Sequence, residues 1–140
     1  MIVGTGIDII EINRIEKAVC ETERFLSKCF TTNELAYFKS KKYRAEVIAG
    51  NFAAKEAFSK AIGTGIRTFH FSDIEILRDS LGKPYIQLYN GALEYAKKMG
   101  ITDFHISISH CREYAVASVI AERNTKNFMK GATENACSQL

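Results

Sequence analysis

Apolar and polar positions change period several times along the chain, and each change marks an element. From Met1 to Ile10, small and β-branched residues surround Gly4 and Gly6, which predicts a buried strand delivering Asp8 between Ile7 and Ile9. Helical spacing follows at Ile12, Ile15 and Val19, a short amphipathic helix with Arg14 and Lys17 outward. Thr31-x-x-Glu34 is a capping-box signature for a helix through about Lys39, and Lys39 to Arg44 reads as a basic connector. A long central helix is expected from near Arg44 to Ile62, stopped by Gly63-Thr64-Gly65, with Val47, Ile48, Phe52, Phe58 and Ile62 as apolar contacts and five alanines permitting close neighbours. Ile74–Leu77 and Tyr85–Leu88 alternate as two strands across a turn at Asp79–Pro84. A further helix from about Asn90 to Met99 carries Ala92, Leu93 and Ala96 on one face. His105–His110 alternates with Ile106 and Ile108 inward, and Tyr114–Ala121 returns as an apolar strand across Cys111-Arg112-Glu113. The pattern predicts one α+β domain over 1–123, a mainly antiparallel sheet packed against the central helix. Beyond it, the polar stretch 124–140 reads as a mobile or loosely docked extension.

Composition agrees with a single core: 140 residues, 46% of them hydrophobic. The net charge of +3 is too mild to predict nucleic-acid binding, although it permits a local basic face for an acidic partner. Cys20, Cys29, Cys111 and Cys137 show no close pairing, no secretory leader pattern opens the chain, and no apolar run reaches bilayer length. A cytoplasmic protein with reduced thiols, contacting neither membrane nor nucleic acid, is the expectation.

Candidate chemistry is concentrated in two places. Asp8 sits among isoleucines, so it must find a partner if buried; with Glu11 it could equally form a capping box for the next helix. In Phe52-Ala53-Ala54-Lys55-Glu56-Ala57-Phe58-Ser59-Lys60-Ala61, helical spacing groups Phe52, Glu56 and Ser59 on one side with Lys55 and Lys60 at its edges. Such a carboxylate can be a metal ligand between phosphate-binding lysines, or half of an ordinary i,i+4 pair between Glu56 and Lys60. Arg14, Arg24, Phe25 and Lys28 make a basic, partly apolar surface, either solvated or a docking face for an acidic helix. His110 ends a strand beside Ser109, where a side chain can leave the sheet. Zinc-site spacing, a G-x-S-x-G elbow, G-x-G-x-x-G and Walker A patterns are all missing, which disfavours a phosphate-loop phosphotransferase.

Gly6-Ile7-Asp8-Ile9, the Phe52–Ala61 motif, Gly82-Lys83-Pro84 and Ile106-Ser107-Ile108-Ser109-His110 occur in this order. Together they closely resemble the holo-[acyl-carrier-protein] synthase group of 4′-phosphopantetheinyl transferases, from Met1 to about Arg123. The resemblance implies that family's fold, usually trimeric with active sites at subunit interfaces. It also implies Mg2+-dependent transfer of phosphopantetheine from coenzyme A to a serine of apo acyl carrier protein, serving fatty acid biosynthesis. By the match, Asp8 and Glu56 are the metal ligands, Lys60 holds a phosphate and Lys55 is a weaker candidate for that role. Ser59, Ser109 and His110 fall at positions associated with coenzyme A, with Gly82, Lys83 and Pro84 bordering the nucleotide. Arg14, Arg24 and Phe25 match the surface that grips the carrier protein. The attacking serine belongs to that partner, and either a metal-bound water or a carboxylate could take its proton. One departure stands out: many members carry arginine where this chain has Asn51. A rival reading is a non-catalytic module that binds an acidic helix through the basic face, with Asp8 as a cap and Glu56 in a surface ion pair.

Overall fold

A computed structural model describes residues 1–63 and 69–124. Its elements are β1 (Ile2–Glu11), α1 (Ile12–Glu21), α2 (Phe25–Cys29), α3 (Thr32–Ser40), α4 (Ala45–Ile62), β2 (Ile74–Arg78), β3 (Pro84–Leu88), α5 (Asn90–Lys98), β4 (Asp103–His110) and β5 (Tyr114–Glu122). A single 3₁₀ turn, Phe71–Asp73, leads into β2. All strand pairs are antiparallel, but the expected sheet resolves into two: a three-stranded sheet ordered β1-β5-β4 and a separate β2–β3 ribbon.

The three-stranded sheet lies on α4, and small side chains on both surfaces bring the two together. Ala53, Ala54, Ala57 and Ala61 of α4 are buried, as are Ala115, Ala117, Val119 and Ala121 of β5. β1 approaches closer still, because Gly4 and Gly6 place bare backbone against the helix. A Cβ at Gly6 would stand 2.0 Å from the Ala57 carbonyl oxygen, and one at Gly4 1.9 Å from that of Ala61. Only glycine fits at either position. α4 ends on Gly63, whose φ of 78° is the left-handed cap expected of a glycine stop; Thr64 and Gly65 lie outside the described residues.

Three local expectations need correction. β1 is an edge strand and its outer face is open, with Ile7 and Ile9 each 64% exposed, so it is not the buried strand its sequence suggests. Asp8 is no helix cap: β1 runs on to Glu11, which occupies the N-cap of α1 without a side-chain bond. Leu93 of α5 is exposed while Ala92 and Ala96 are buried. By contrast the Thr31 capping box is formed, Thr31 Oγ1 accepting from the Glu34 amide and Glu34 Oε1 from the Thr31 amide, each at 3.2 Å. The C-terminal extension expected over 124–140 lies outside the described residues except for Asn124.

Beneath α4 runs a polar network that stabilises the helix against α3 and β2. Lys55 Nζ donates to Glu34 Oε1 at 2.6 Å, to the Cys29 carbonyl at 2.7 Å and to the Phe71 carbonyl at 2.9 Å. Asn51 Nδ2 donates to Glu34 Oε2 and to the Ile76 carbonyl, both at 3.0 Å. Burial pushes the Glu34 carboxyl up and the Lys55 ammonium down in pKa, and their mutual contact opposes both shifts. With every strong partner met, the pair is held as an ion pair whose loss would strand a charge in the core.

Candidate active site on β1 and α4

The glycine approach of β1 has a chemical consequence two residues further on. Asp8 shares the helix-facing side of the strand with Gly6 and Ile10. Its carboxylate, 19% exposed, meets Lys60 Nζ at 3.0 Å, and Lys60 also donates to the Ile7 carbonyl at 3.0 Å. Lys60 therefore pairs across to β1 and not with its i,i+4 neighbour Glu56, as the helix alone would suggest. Glu56 lies one turn earlier on the same helix, half-buried. Burial raises its pKa, the nearby Asp8 carboxylate raises it further, and Lys60 and Arg14 oppose both. Two carboxylates from different elements thus lie near enough to repel each other, with Lys60 and Arg14 near enough to oppose that repulsion.

Such a donor set suits a hard divalent ion. Magnesium commonly takes one or two carboxylates and fills its remaining positions with water and substrate phosphate oxygens. Among the described residues no group of three or more histidine, cysteine or acidic side chains forms a closed metal cage. A bound cation would oppose both effects that raise the Glu56 pKa, burial first and the Asp8 carboxylate second.

Two other residues assigned by resemblance do not join these carboxylates. Lys55 is completely buried with all three ammonium donors occupied, so it cannot hold a phosphate; its role is to anchor α4. Ser59 is 3% exposed and donates to the Lys55 carbonyl at 3.1 Å, an intrahelical bond that uses its one hydroxyl hydrogen and leaves none for a phosphate oxygen.

The remaining nucleotide candidates gather elsewhere. Gly82, Pro84 and His110 line a depression of about 260 Å³ together with Tyr37, Lys41, Arg44 and Arg78. Its turn is built by Asp79 Oδ1, which accepts from the amides of Leu81 and Lys83 at 2.9 Å each. Lys83 and Pro84 also border a second depression against His105 and Ser107. Ser109 faces the exposed side of β4, opposite to His110. On α4 the first depression reaches Gly50, six residues before Glu56, which is about 9 Å along the axis and on a different face. A single chain therefore keeps the carboxylate cluster and the nucleotide candidates apart. Arg14 and Arg24 are exposed on the α1 and α2 side, and Phe25 is half-buried against Phe52 at 5.8 Å between ring centroids.

Arg78 was not singled out in the sequence, where it is one more cation at a strand end. A buried amide at Asn51, inside an otherwise apolar helix face, was the signal that a partner would have to arrive from another element.

Comparison with known proteins identifies the family. Residues 4–119 match the family model of the 4′-phosphopantetheinyl transferase superfamily. A holo-[acyl-carrier-protein] synthase of Clostridium novyi (strain NT) is 54% identical over 122 residues, covering 87% of this chain and 88% of that protein. The crystal structure of holo-[acyl-carrier-protein] synthase from Neisseria meningitidis superposes with a TM-score of 0.81 at 35% identity, over 88% of this chain and 100% of that one. A Bacillus anthracis synthase, solved in complex with CoA (3′,5′-ADP), is 43% identical with a TM-score of 0.74, over 89% of this chain and 99% of that one. The chain belongs to the 4′-phosphopantetheinyl transferase superfamily. The non-catalytic alternative also loses its structural premise, since Asp8 is not a cap and Glu56 has no ion pair among the described residues.

Proposed function

We propose that this chain transfers the 4′-phosphopantetheine group of coenzyme A to a serine of apo acyl carrier protein, serving fatty acid biosynthesis in the cytoplasm. The serine oxygen attacks the diphosphate phosphorus that bears the pantetheine arm. The bond to the nucleotide phosphate breaks, adenosine 3′,5′-bisphosphate leaves, and the serine proton passes to a base. The observation that carries the reading is the meeting of Asp8 and Glu56 beside Lys60, in a chain whose relatives are holo-[acyl-carrier-protein] synthases. Asp8 and Glu56 would hold Mg2+, which when bound neutralises charge on the diphosphate. Lys60, beside Asp8, would add a point charge for a phosphate oxygen, and Arg14 and Arg24 would supply an exposed basic approach for the acidic carrier.

A homotrimer with shared sites fits two features. Across the outer sheet face, Ile9, Val116 and Ser109 are in register, as are Ile7, Ser118 and Ser107, leaving an open, partly apolar surface that a second copy would cover. The separation of the two candidate clusters is met if neighbouring protomers each supply one. Intact-protein mass spectrometry of apo acyl carrier protein incubated with this chain, coenzyme A and Mg2+ tests the proposal. A gain of one phosphopantetheine group, lost on chelation, supports it; no gain while carrier binding persists rejects it.

A further inference from the structure

Lys55 does more than neutralise Glu34. Its fully buried ammonium takes one acceptor from each of three segments: Glu34 Oε1 of α3 at 2.6 Å, the Cys29 carbonyl at the end of α2 at 2.7 Å, and the Phe71 carbonyl at the start of the 3₁₀ turn at 2.9 Å. α2 has little else to fix it: it is five residues long, none of them buried, and it has no side-chain cap. The Cys29 carbonyl belongs to its last turn, where no further helical amide follows to meet it. α2 and the 3₁₀ turn also pack on each other, so one cation holds the two as a unit.

Each of these segments delivers a ring to the same place. Phe25 of α2 and Phe71 of the 3₁₀ turn flank Phe52 of α4, at 5.8 and 5.3 Å between ring centroids, and all three side chains are partly exposed. Beneath them Phe30 meets Phe25 edge-on at 6.2 Å and lies 4.8 Å from Lys55 Nζ. Phe52 stands one turn before Glu56 on α4, and Arg24, next to Phe25, is exposed. An aromatic wall with a cationic edge, beside a metal-ligating carboxylate, fits an amphipathic acidic helix that must bring its hydroxyl to that carboxylate.

We propose that Lys55 is a positioning residue for carrier docking: by holding the Cys29 and Phe71 carbonyls it sets Phe25 and Phe71 against Phe52, and so governs recognition of the carrier protein and not of coenzyme A. This rests on the reading of the chain as a transferase acting on acyl carrier protein. Desolvating an ammonium is costly, and its three acceptors offset that cost while fixing three segments in one arrangement. An apolar side chain of similar volume would fill the same place and donate to neither carbonyl, which leaves the wall free to shift.

The test is steady-state transfer from coenzyme A to apo acyl carrier protein by the double variant Glu34→Gln/Lys55→Met, with each substrate varied in turn. Both charges leave together, so no ion is stranded in the core. The KM for carrier protein is expected to rise about tenfold or more, the effect of one charge-assisted hydrogen bond, with that for coenzyme A unchanged. The rise should persist at high salt, because contact with an apolar wall is not screened. Phe25→Ala should raise the carrier KM less in the double variant than in wild type, since both changes act through the same ring. Lys55→Arg, which keeps the charge but spreads its donors over a planar fork, should show a smaller carrier-selective rise, and it serves alone if the double variant does not fold. Parallel rises for both substrates, an unchanged carrier KM in a folded variant, or a full Phe25→Ala effect in the double variant overturns the assignment, while wild-type transfer leaves the underlying reading intact; absence of wild-type transfer overturns both.

Discussion

Gly6→Ala tests the link between backbone packing and the site more sharply than any change to a charged group. The new Cβ would stand 2.0 Å from the Ala57 carbonyl oxygen and 2.7 Å from the Ala61 amide nitrogen, where real Cβ contacts below 3.0 Å essentially never occur. Backbone atoms on both sides leave no side chain to swing away, so β1 must withdraw from α4 by about 1 Å. Overpacking of this kind costs about 1–3 kcal/mol of stability. The functional loss should be larger, because Asp8 rides on β1 and Glu56 on α4, and a shift of about 1 Å between reacting groups can lower a rate about 100-fold. The assay is turnover of apo acyl carrier protein alongside thermal unfolding, with Gly63→Ala as a companion. At Gly63 nothing lies within 4 Å and only the φ of 78° is strained, so that variant should lose about 1 kcal/mol without moving Asp8. Near-normal turnover by Gly6→Ala, or equal losses by the two variants, would refute the reasoning.

Other outcomes follow from the same contacts. Glu34→Gln removes the anion facing buried Lys55 and should destabilise the protein by about 3–5 kcal/mol in urea unfolding; a loss below 1 kcal/mol would show that the pair is dispensable. Glu56 has a folded pKa above the ordinary 4.5, so its stabilising contribution is present below that value and is lost as pH rises through the folded one. Metal-free Glu56→Gln should accordingly melt higher than wild type at pH 7 and lose that advantage in acid, and a lower melting temperature at pH 7 would contradict the cited environment. Arg14→Glu should raise the KM for carrier protein with little effect on that for coenzyme A, more at low salt than at high; an unchanged value at low salt rejects α1 as the docking face.

Elements with a strong local signature were legible before any coordinates. The Thr31 capping box, the α4 stop at Gly63 and the Ile106/Ile108 alternation each depend on neighbours a few residues away, and each appears in the fold. Asp8 was ambiguous because Asp-x-x-Glu at a strand end and at a helix start look alike; pairing with Ala117, a partner far along the chain, decides it. Exposure of Ile7 and Ile9 was equally hidden, since β-branched alternation does not say whether a strand sits at an edge. Lys55 was misread for a related reason. A lysine beside a glutamate on a helix looks solvent-facing until Glu34 and two backbone carbonyls close around it, and those arrive from α3, the end of α2 and the turn before β2. Asp8 and Glu56 stood out from their neighbours in the sequence, and their assignment as a metal pair came from the motif resemblance. Their meeting with each other and with Lys60 required the glycine approach of β1 to α4.

The central claim is that Asp8 and Glu56 act together as the ion-binding pair of a transferase. Conversion of apo to holo acyl carrier protein by Asp8→Ala and Glu56→Ala at saturating Mg2+, with folding checked by circular dichroism, tests it most directly. Loss of turnover in both folded variants is the predicted result, whereas normal turnover in either one contradicts the account.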